Sequence, residues 1–438
     1  MITIIGAGLT GLTAGYTLKQ AGVPYRIIEA TQRSGGNIQS STEGPYTLES
    51  GPNTLQLNDE IYGFLEELGL ADDIQAASPA AKYRFILKNG VYRKLPTGPL
   101  SLLFGSTLTG HAKRKIWKER TLAAGGNPNE TVDSFFRRRF GDEIADYLVA
   151  PFISGIFAGD ARALLLNEAF PQLADFESNY GSVIRGMMKS RKKQEHKGPV
   201  SFKGGLQRMT DRLAELQAEH IQYNTPVTGI RQNGQGFEVL TESEVLQADQ
   251  VICTVPAHIL APWMEESHPT LAAALQAIKY PPVSVVHTSL NLVDLRHKLA
   301  GFGALHNHLE HSNTLGSLFI STLFPDRCPE EEVLITTFVG GQKYPKRAQQ
   351  SDNQLKEAVL RDYSKYLGLR GKPSFQKVVR WEKAIPQYDE RIRPAHAEAL
   401  KLADTGLRFG GNWIGGISLP ACIANGKSLA QSALESRV

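Results

Sequence analysis

The sequence predicts an α/β protein of two or three domains, and three observations carry that prediction. At 438 residues the chain exceeds what one ordinary core encloses. Residues 1–29 read as strand, glycine-rich turn, helix and strand, the βαβ opening of a parallel sheet. Strand signals return in separated places, at 251–256, 283–290, 333–339 and again from 406. Before them, at 100–197, strand signals fade into helical periodicity with basic clusters at 113–120, 137–139 and 189–197.

Bulk composition excludes several classes. Hydrophobic residues make up 41% and charged residues 21%, which fits a folded chain rather than a disordered one. A net charge of +4 gives no global case for nucleic acid, and none is expected as a partner. Cys253, Cys328 and Cys422 are odd in number and far apart, so neither a disulfide framework nor a CxxC metal site is visible. A reducing compartment, the cytoplasm, is the expected location. The N-terminus has no basic start, and glycines break its apolar run at once, unlike a signal peptide. No run of about 18 apolar residues occurs, so no transmembrane helix is expected. Attachment to the inner face of a membrane stays compatible with that.

Taken in order, ITII at 2–5 is a short buried strand, and a helix follows the turn to about Gln20. Gly22 and Pro24 end it, and YRIIE at 25–29 is the second strand. Residues 56–69 suggest a helix with Asn58 as cap and Gly69 as stop. Residues 83–95 suggest a hairpin turning at Asn89-Gly90, the strongest two-residue hairpin signal. Residues 100–197 read as a helical insertion, 200–256 as a return to α/β patterning, and 283–290 and 333–339 as strands of a second sheet. A strand, a glycine-rich turn and a terminal helix close the chain.

The turn is GAGLTG. Gly6 permits the tight turn, Gly8 lets backbone approach a pyrophosphate, and Gly11 lets helix and strand pack closely, with Gly15 on the same helix face. The helix N-terminus offers unpaired N–H groups to phosphate. Glu29, 18 residues after Gly11, can accept hydrogen bonds from a ribose. Strand, helix and acid together make nucleotide binding the expected reading. After Glu29 come Arg33 and the pair Gly35-Gly36, which extend the cradle along a pyrophosphate, and ESGPNT at 49–54 adds another glycine turn. A flavin dinucleotide is long and held at both ends, so several separated glycine loops suit it. RFGGNWIGGISL at 408–419, followed by a helix from about Pro420, suits the far end. That helix N-terminus can stabilise negative charge on a reduced flavin. Alone, it reads equally well as a plain strand–turn–helix.

With these segments in view the chain resembles the FAD-dependent amine-oxidase superfamily and, within it, the oxygen-dependent protoporphyrinogen oxidases. GAGLTG, EATQRSGG and GGNWIGG carry the broader likeness. ESGPNTLQ, RFILKNG, the run at 132–160, SFKGGLQRM at 201–209, LFPDR at 323–327, TTFVGG at 336–341 and WEKAIPQY at 381–388 carry the narrower one. The resemblance implies a Rossmann-like FAD-binding domain assembled from discontinuous segments, a mixed-sheet substrate domain and a helical insertion of the membrane-binding kind. The implied divisions are 1–78, 201–258 and 404–438 for FAD, 79–110 and 259–403 for substrate, and 111–200 for the insertion.

The resemblance also implies contacts. On the FAD side these are Gly6, Ala7, Gly8, Leu9, Thr10 and Gly11, then Glu29, Ala30, Arg33, Gly35, Gly36 and Asn37, then Gly51, Pro52, Asn53 and Thr54. Val227 would meet the adenine through its backbone, and Trp381 would stand near the flavin. Gly411, Asn412, Ile417, Ser418 and Leu419 would meet its pyrimidine edge. On the substrate side Arg84 would pair with a propionate. Leu305, Leu318 and Phe338 would sandwich a tetrapyrrole, and Gly155 would lie beside the ring. One departure stands out: some members carry arginine after the GP pair, where this chain has Asn53, so any role needing that cation is lost.

The expected activity is oxidation of protoporphyrinogen IX to protoporphyrin IX in haem biosynthesis, with coproporphyrinogen III as the alternative. Hydride would pass from a ring-bridging carbon to FAD, and dioxygen would reoxidise it to give hydrogen peroxide. The flavin carries the chemistry, so no catalytic side chain is assigned. A porphyrinogen needs an apolar slot and few cations. Without the resemblance, Arg84 reads as a surface charge and the three apolar residues as sheet core. The rival classes are an FAD-dependent amine or polyene oxidase, and a non-catalytic flavoprotein. A homodimer and hand-over to a ferrochelatase are the expected protein contacts. His306, His308 and His311 space as HxHxxH, where two share a strand face in a zinc reading, but an exposed loop is the plainer one and no metal is expected. The basic runs 113–120 and 189–197, with PLSLLF at 99–104 and Trp117, can attract an acidic lipid surface; a solvated helical face is as good a reading.

Overall fold

A computed structural model describes residues 1–97, 101, 105–190, 193–234 and 236–436. The opening strand Ile2–Ile5 is fully buried and lies at the centre of a five-stranded parallel sheet. Its neighbours are Tyr25–Ile28 on one side and Gln250–Cys253 on the other, followed outward by Ile221–Gln222 and Leu407–Phe409. Both faces of a parallel sheet are covered, which is why these short strands are almost wholly apolar. The helix Leu9–Gln20 covers it together with the terminal helix Leu419–Glu435. The two approach closely because Gly426 lacks a side chain, whose Cβ would stand 2.5 Å from the Thr10 carbonyl oxygen.

A second, seven-stranded sheet runs in the order 375–381, 283–291, 332–340, 316–319, 303–305, 85–88, 91–94. It is mixed, because Gly303–Leu305 pairs in parallel with Phe85–Lys88 while its other pairs are antiparallel. The hairpin at its edge turns at Asn89 and Gly90 with φ 55° and 72°, the left-handed pair that a two-residue turn requires. One sheet face buries Val286, Leu290, Phe319 and Ile335 under the helix Asp352–Asp362. The other face turns toward the glycine loops.

Residues 110–189 are helical, with helices Gly110–Lys118, Val132–Phe140, Ala150–Phe157, Pro171–Tyr180 and Val183–Lys189. The arginines at 137–139 are not a free cationic face. Arg137 is ringed by Asp133, Asp142 and Asp146, Arg138 by Glu130 and Glu177, and the fully buried Arg139 by Glu119 and Glu177. Trp117, Leu122, Met187 and Met188 are exposed. PLSLLF at 99–104 lies outside the described residues except for Ser101. Among the described residues no helix is long and apolar enough to cross a membrane.

Three details differ from the sequence reading. Residues 55–57 form a strand, so the helix capped by Asn58 runs only Asp59–Glu67. The stretch 227–248 holds a separate three-stranded antiparallel sheet. The HxHxxH histidines share no strand face. His306 is buried, His308 begins a short 3-10 turn and His311 is left-handed at φ 51°. His306 is therefore no exposed loop residue: its Nε2 lies 2.7 Å from the Tyr92 hydroxyl.

Candidate functional site

The glycine loops converge on the end of the parallel sheet. Gly6 sits at φ 101°, where a side chain is strained, and Gly8 and Gly35 form a bridge across two loops. The Gly35 N–H donates to the Ala7 carbonyl at 2.8 Å. A Cβ on Gly11 would be driven into the Gly6 carbonyl, whereas one on Gly8 would meet nothing within 4 Å. Gly8 thus borders open space on the loop that leads into the first helix, beside Leu9 and Thr10. Gly36, at φ 57° and exposed beside Asn37, closes the same hollow. A Cβ on Gly51 would collide with the Asn37 carbonyl, so the GP turn stacks directly on the second loop.

Glu29 lies one residue past its strand. Its carboxylate accepts from Ala7 N–H at 2.8 Å and from the Thr31 N–H and hydroxyl at 2.9 and 2.8 Å. The Ala7 N–H is therefore engaged with Glu29, and Thr31 aims that carboxylate. Arg33 donates to the carbonyls of Ser34 and Gly36 at 3.0 and 2.7 Å, bracing the double-glycine loop. Ala30 is exposed beside it. The Thr225 N–H donates to the Glu29 carbonyl at 3.0 Å, which brings Val227, buried at the start of its strand, to the Glu29 end of the cradle.

The C-terminal loop closes the other end. The Gly411 N–H donates to Asn425 Oδ1 at 3.0 Å. The Tyr388 hydroxyl donates to the Asn412 carbonyl at 2.7 Å and accepts from Gly416 N–H at 3.0 Å, spanning the loop. Ser418 caps the terminal helix through Ala421 N–H at 3.2 Å, and Ile417 and Leu419 flank it. Trp381 Nε1 donates to the Ser50 carbonyl at 2.7 Å and so ties the second sheet to the turn carrying Gly51, Pro52, Asn53 and Thr54. Asn53 donates to Gly51 O at 3.0 Å, yet its buried Oδ1 has no partner among the described residues. A hollow floored by glycines, an orphaned buried amide oxygen and two helix N-termini fit a long, doubly anionic dinucleotide such as FAD.

Beneath the GP turn lies a buried ionic contact. Glu49 accepts from Ser40 Oγ at 2.7 Å and Leu206 N–H at 2.8 Å, with Arg327 Nη1 at 4.0 Å. Burial outweighs these contacts and pushes the Glu49 carboxyl up to about 7. A carboxyl raised in the fold stabilises it fully below its ordinary range and loses that contribution as pH rises through 7. Glu49→Gln, which stays neutral, should therefore gain stability over wild type between pH 5 and pH 8, by on the order of 3 kcal/mol. Thermal melts at the two pH values check this. A wild-type-to-variant difference that ignored pH would refute it.

The substrate-side residues meet on one face of the mixed sheet. Register aligns Leu305, Gly316, Phe338, Val285 and Val379 in one row, and Gly303, Leu318, Thr336 and His287 in the next. Parallel pairing sets Ile86 beside Leu305, so alternation puts Arg84 on the same face, level with Gly303. Leu305, Leu318 and Phe338 stay half-exposed on strands whose neighbouring positions are mostly buried. Gly303 and Gly316 put no side chains between them, which leaves Leu305, Leu318 and Phe338 as a part-exposed apolar strip. The helix Ala150–Phe157 lies across it, with a Gly155 Cβ position 2.6 Å from Leu305 Cδ2. The Arg84 guanidinium rests over the Phe302 ring at 4.8 Å and has no ion-pair partner among the described residues.

Several contributors escaped the sequence reading. The Thr254 hydroxyl donates to the Ile5 and Gly6 carbonyls at 3.0 and 3.1 Å and so fixes the fingerprint turn. Tyr388 and Asn425 brace the C-terminal loop. Glycine inside a strand at 303 and 316 was the one available signal for the strip. Thr254, Tyr388 and Asn425 carry no local signature, because their partners lie far away in sequence.

Comparison with known proteins agrees with this geometry. A family model described as flavin containing amine oxidoreductase matches residues 9–434. Protoporphyrinogen oxidase 2, chloroplastic/mitochondrial, of Arabidopsis thaliana is 32% identical, over 97% of this chain and 92% of its own length. Coproporphyrinogen III oxidase of Bacillus subtilis (strain 168) is 29% identical, over 99% of this chain and 97% of its own. The crystal structure of a putative protoporphyrinogen oxidase from Exiguobacterium sp. 255-15 superposes with a TM-score of 0.80 at 24% identity, covering 99% of this chain and 98% of that one.

Proposed function

Because the chain belongs to the flavin containing amine oxidoreductases, we propose that it is an FAD-dependent oxidase that converts a porphyrinogen to a porphyrin with dioxygen as acceptor. The observation that carries the reading is the apolar strip of Leu305, Leu318 and Phe338 with Arg84, which has no ion-pair partner among the described residues, at its edge. Bound FAD supplies hydride acceptance and reoxidation by dioxygen.

The chain's own residues do the rest. Leu305 and Phe338, on either side of Gly316, hold the macrocycle edge by apolar contact and exclude water. Arg84 binds a propionate bidentately and sets which edge of the ring is offered. Trp381 fixes the GP turn to the sheet, so cofactor and substrate keep their spacing. Oxidation by hydride loss needs no strong protein base, and no side chain is given that role.

Protoporphyrinogen IX is the first substrate in this reading, and coproporphyrinogen III the second, since the relatives include enzymes named for both. An amine substrate suits the site less well, because the Arg84 cation repels an ammonium group and attracts a carboxylate. The purified protein should be yellow. It should turn a colourless porphyrinogen into a fluorescent porphyrin while consuming dioxygen and forming hydrogen peroxide. Yellow protein that oxidised neither porphyrinogen would make it a flavoprotein of another kind. Contact of Trp117, Leu122, Met187 and Met188 with a lipid surface belongs to the same reading, and protein that ignores anionic vesicles at low salt would remove it.

A further inference from the structure

Between the helix Ala150–Phe157 and the loop His306–Leu315 lies a cleft separate from the cradle and from Arg84. Pro151 and Ser154 form one wall, and His306 and Thr314 the floor. The floor is fixed. His306 Nδ1 lies 2.8 Å from Thr314 Oγ1, which in turn donates to the buried Asp362 at 2.9 Å. Lys343 and His308 line it as well, both part-exposed. Arg162 is tied to Lys343 through Asp160, whose Oδ1 accepts the Arg162 backbone N–H at 3.1 Å and lies 3.4 Å from Lys343 Nζ.

The nearby acids do not balance these cations. Asp146 is engaged with Arg137. Glu310 accepts the N–H groups of Asn89 and Gly90 at 2.6 and 2.8 Å. Asp362 accepts the Asn313 and Thr314 N–H groups at 3.0 and 3.1 Å. Asp160 alone answers, with Lys343 Nζ at 3.4 Å and the Arg162 backbone N–H at 3.1 Å. The Arg162 guanidinium is exposed and has no ion-pair partner among the described residues.

Position gives the cleft its meaning. It starts at the end of the apolar strip, since Ser154 and His306 adjoin Gly155 and Leu305, which touch. Arg84 is level with Gly303 on one side of Leu305, and Asn307 lines the cleft on the other. The strand runs only Gly303–Leu305, so Arg84 and Asn307 mark its two ends. An apolar strip between two cationic ends matches a flat ring with carboxylates on opposite edges.

We propose that the cleft binds the carboxylates on the ring edge remote from Arg84, with Arg162 and Lys343 as the ligating cations. This rests on the porphyrinogen reading. A tetracarboxylate such as coproporphyrinogen III is then held at both edges, and the dicarboxylate protoporphyrinogen IX at one.

The test is steady-state oxidation of both porphyrinogens by the flavin-loaded protein, with equilibrium binding of coproporphyrin and protoporphyrin followed by fluorescence. Arg162→Met should raise the KM ratio of coproporphyrinogen to protoporphyrinogen about tenfold, the loss of one charge-assisted contact. Asp160→Asn should free Lys343 and lower that ratio, an opposite sign that simple loss of structure does not produce. Porphyrin binding should shift in the same two directions. Equal effects on both substrates, no effect, or the same sign for both variants would overturn the cleft assignment. If wild type oxidised neither porphyrinogen, the proposed function would fail, and the binding ratios would still decide the cleft.

Discussion

Arg84→Ala should raise the KM for a porphyrinogen about 30-fold while the protein stays yellow. A guanidinium that receives a carboxylate makes charge-assisted bonds worth about 1.5–3 kcal/mol each, and each 1.4 kcal/mol is about tenfold in affinity. The flavin should be untouched, since Arg84 leads into the sixth strand of the mixed sheet counted from the edge strand that carries Trp381. Stability should hold as well. The side chain rests over Phe302, with no ion pair among the described residues, so its removal strands no charged partner. Arg84→Lys should fall between, because an ammonium keeps the charge but not the planar fork. Unchanged KM with loss of FAD would show that Arg84 serves the cofactor instead.

The apolar strip Arg84 borders illustrates what the sequence withheld. Leu305, Leu318 and Phe338 lie on three strands, and periodicity alone reads them as core. Their shared face follows from the register Leu305–Gly316–Phe338 and Gly303–Leu318, which is a tertiary fact. Family resemblance supplied these positions where local pattern could not. By contrast, the βαβ opening, the Asn58 cap and the Asn89-Gly90 turn were legible, because each is decided within a few residues. The exposed-loop reading of His306, His308 and His311 misses at His306 for the same reason: a 3-10 turn begins at His308, but Tyr92 and Thr314, far off in sequence or across the loop, claim the buried His306 ring. Glu49 is the extreme case. Its partners Ser40, Leu206 and Arg327 come from three parts of the chain, and only their convergence makes a carboxyl that titrates near neutrality.

The fingerprint glycines give the sharpest contrast, because two of them in one turn should fail in different ways. Gly8 has φ −73° and ψ 175°, extended backbone that any residue adopts, and a Cβ there meets nothing within 4 Å. Gly8→Val should fold with a melting temperature within a few degrees of flavin-free wild type. Its branched side chain would occupy the hollow that faces the second glycine loop, so it should purify colourless and take up less than about a tenth of the flavin. Gly11 is the reverse. Its Cβ would strike the Gly6 carbonyl and come within 2.8 Å of the Thr254 hydroxyl that pins the turn. Backbone cannot yield there without parting the first helix from the central strand, so Gly11→Ala should cost about 3–5 kcal/mol and lose fold and flavin together. Far-ultraviolet circular dichroism, thermal melts and flavin titration of the two variants separate the outcomes. Gly8→Val that stayed fully yellow would mean that no phosphate approaches this loop, and with that the cradle would lose its ligand.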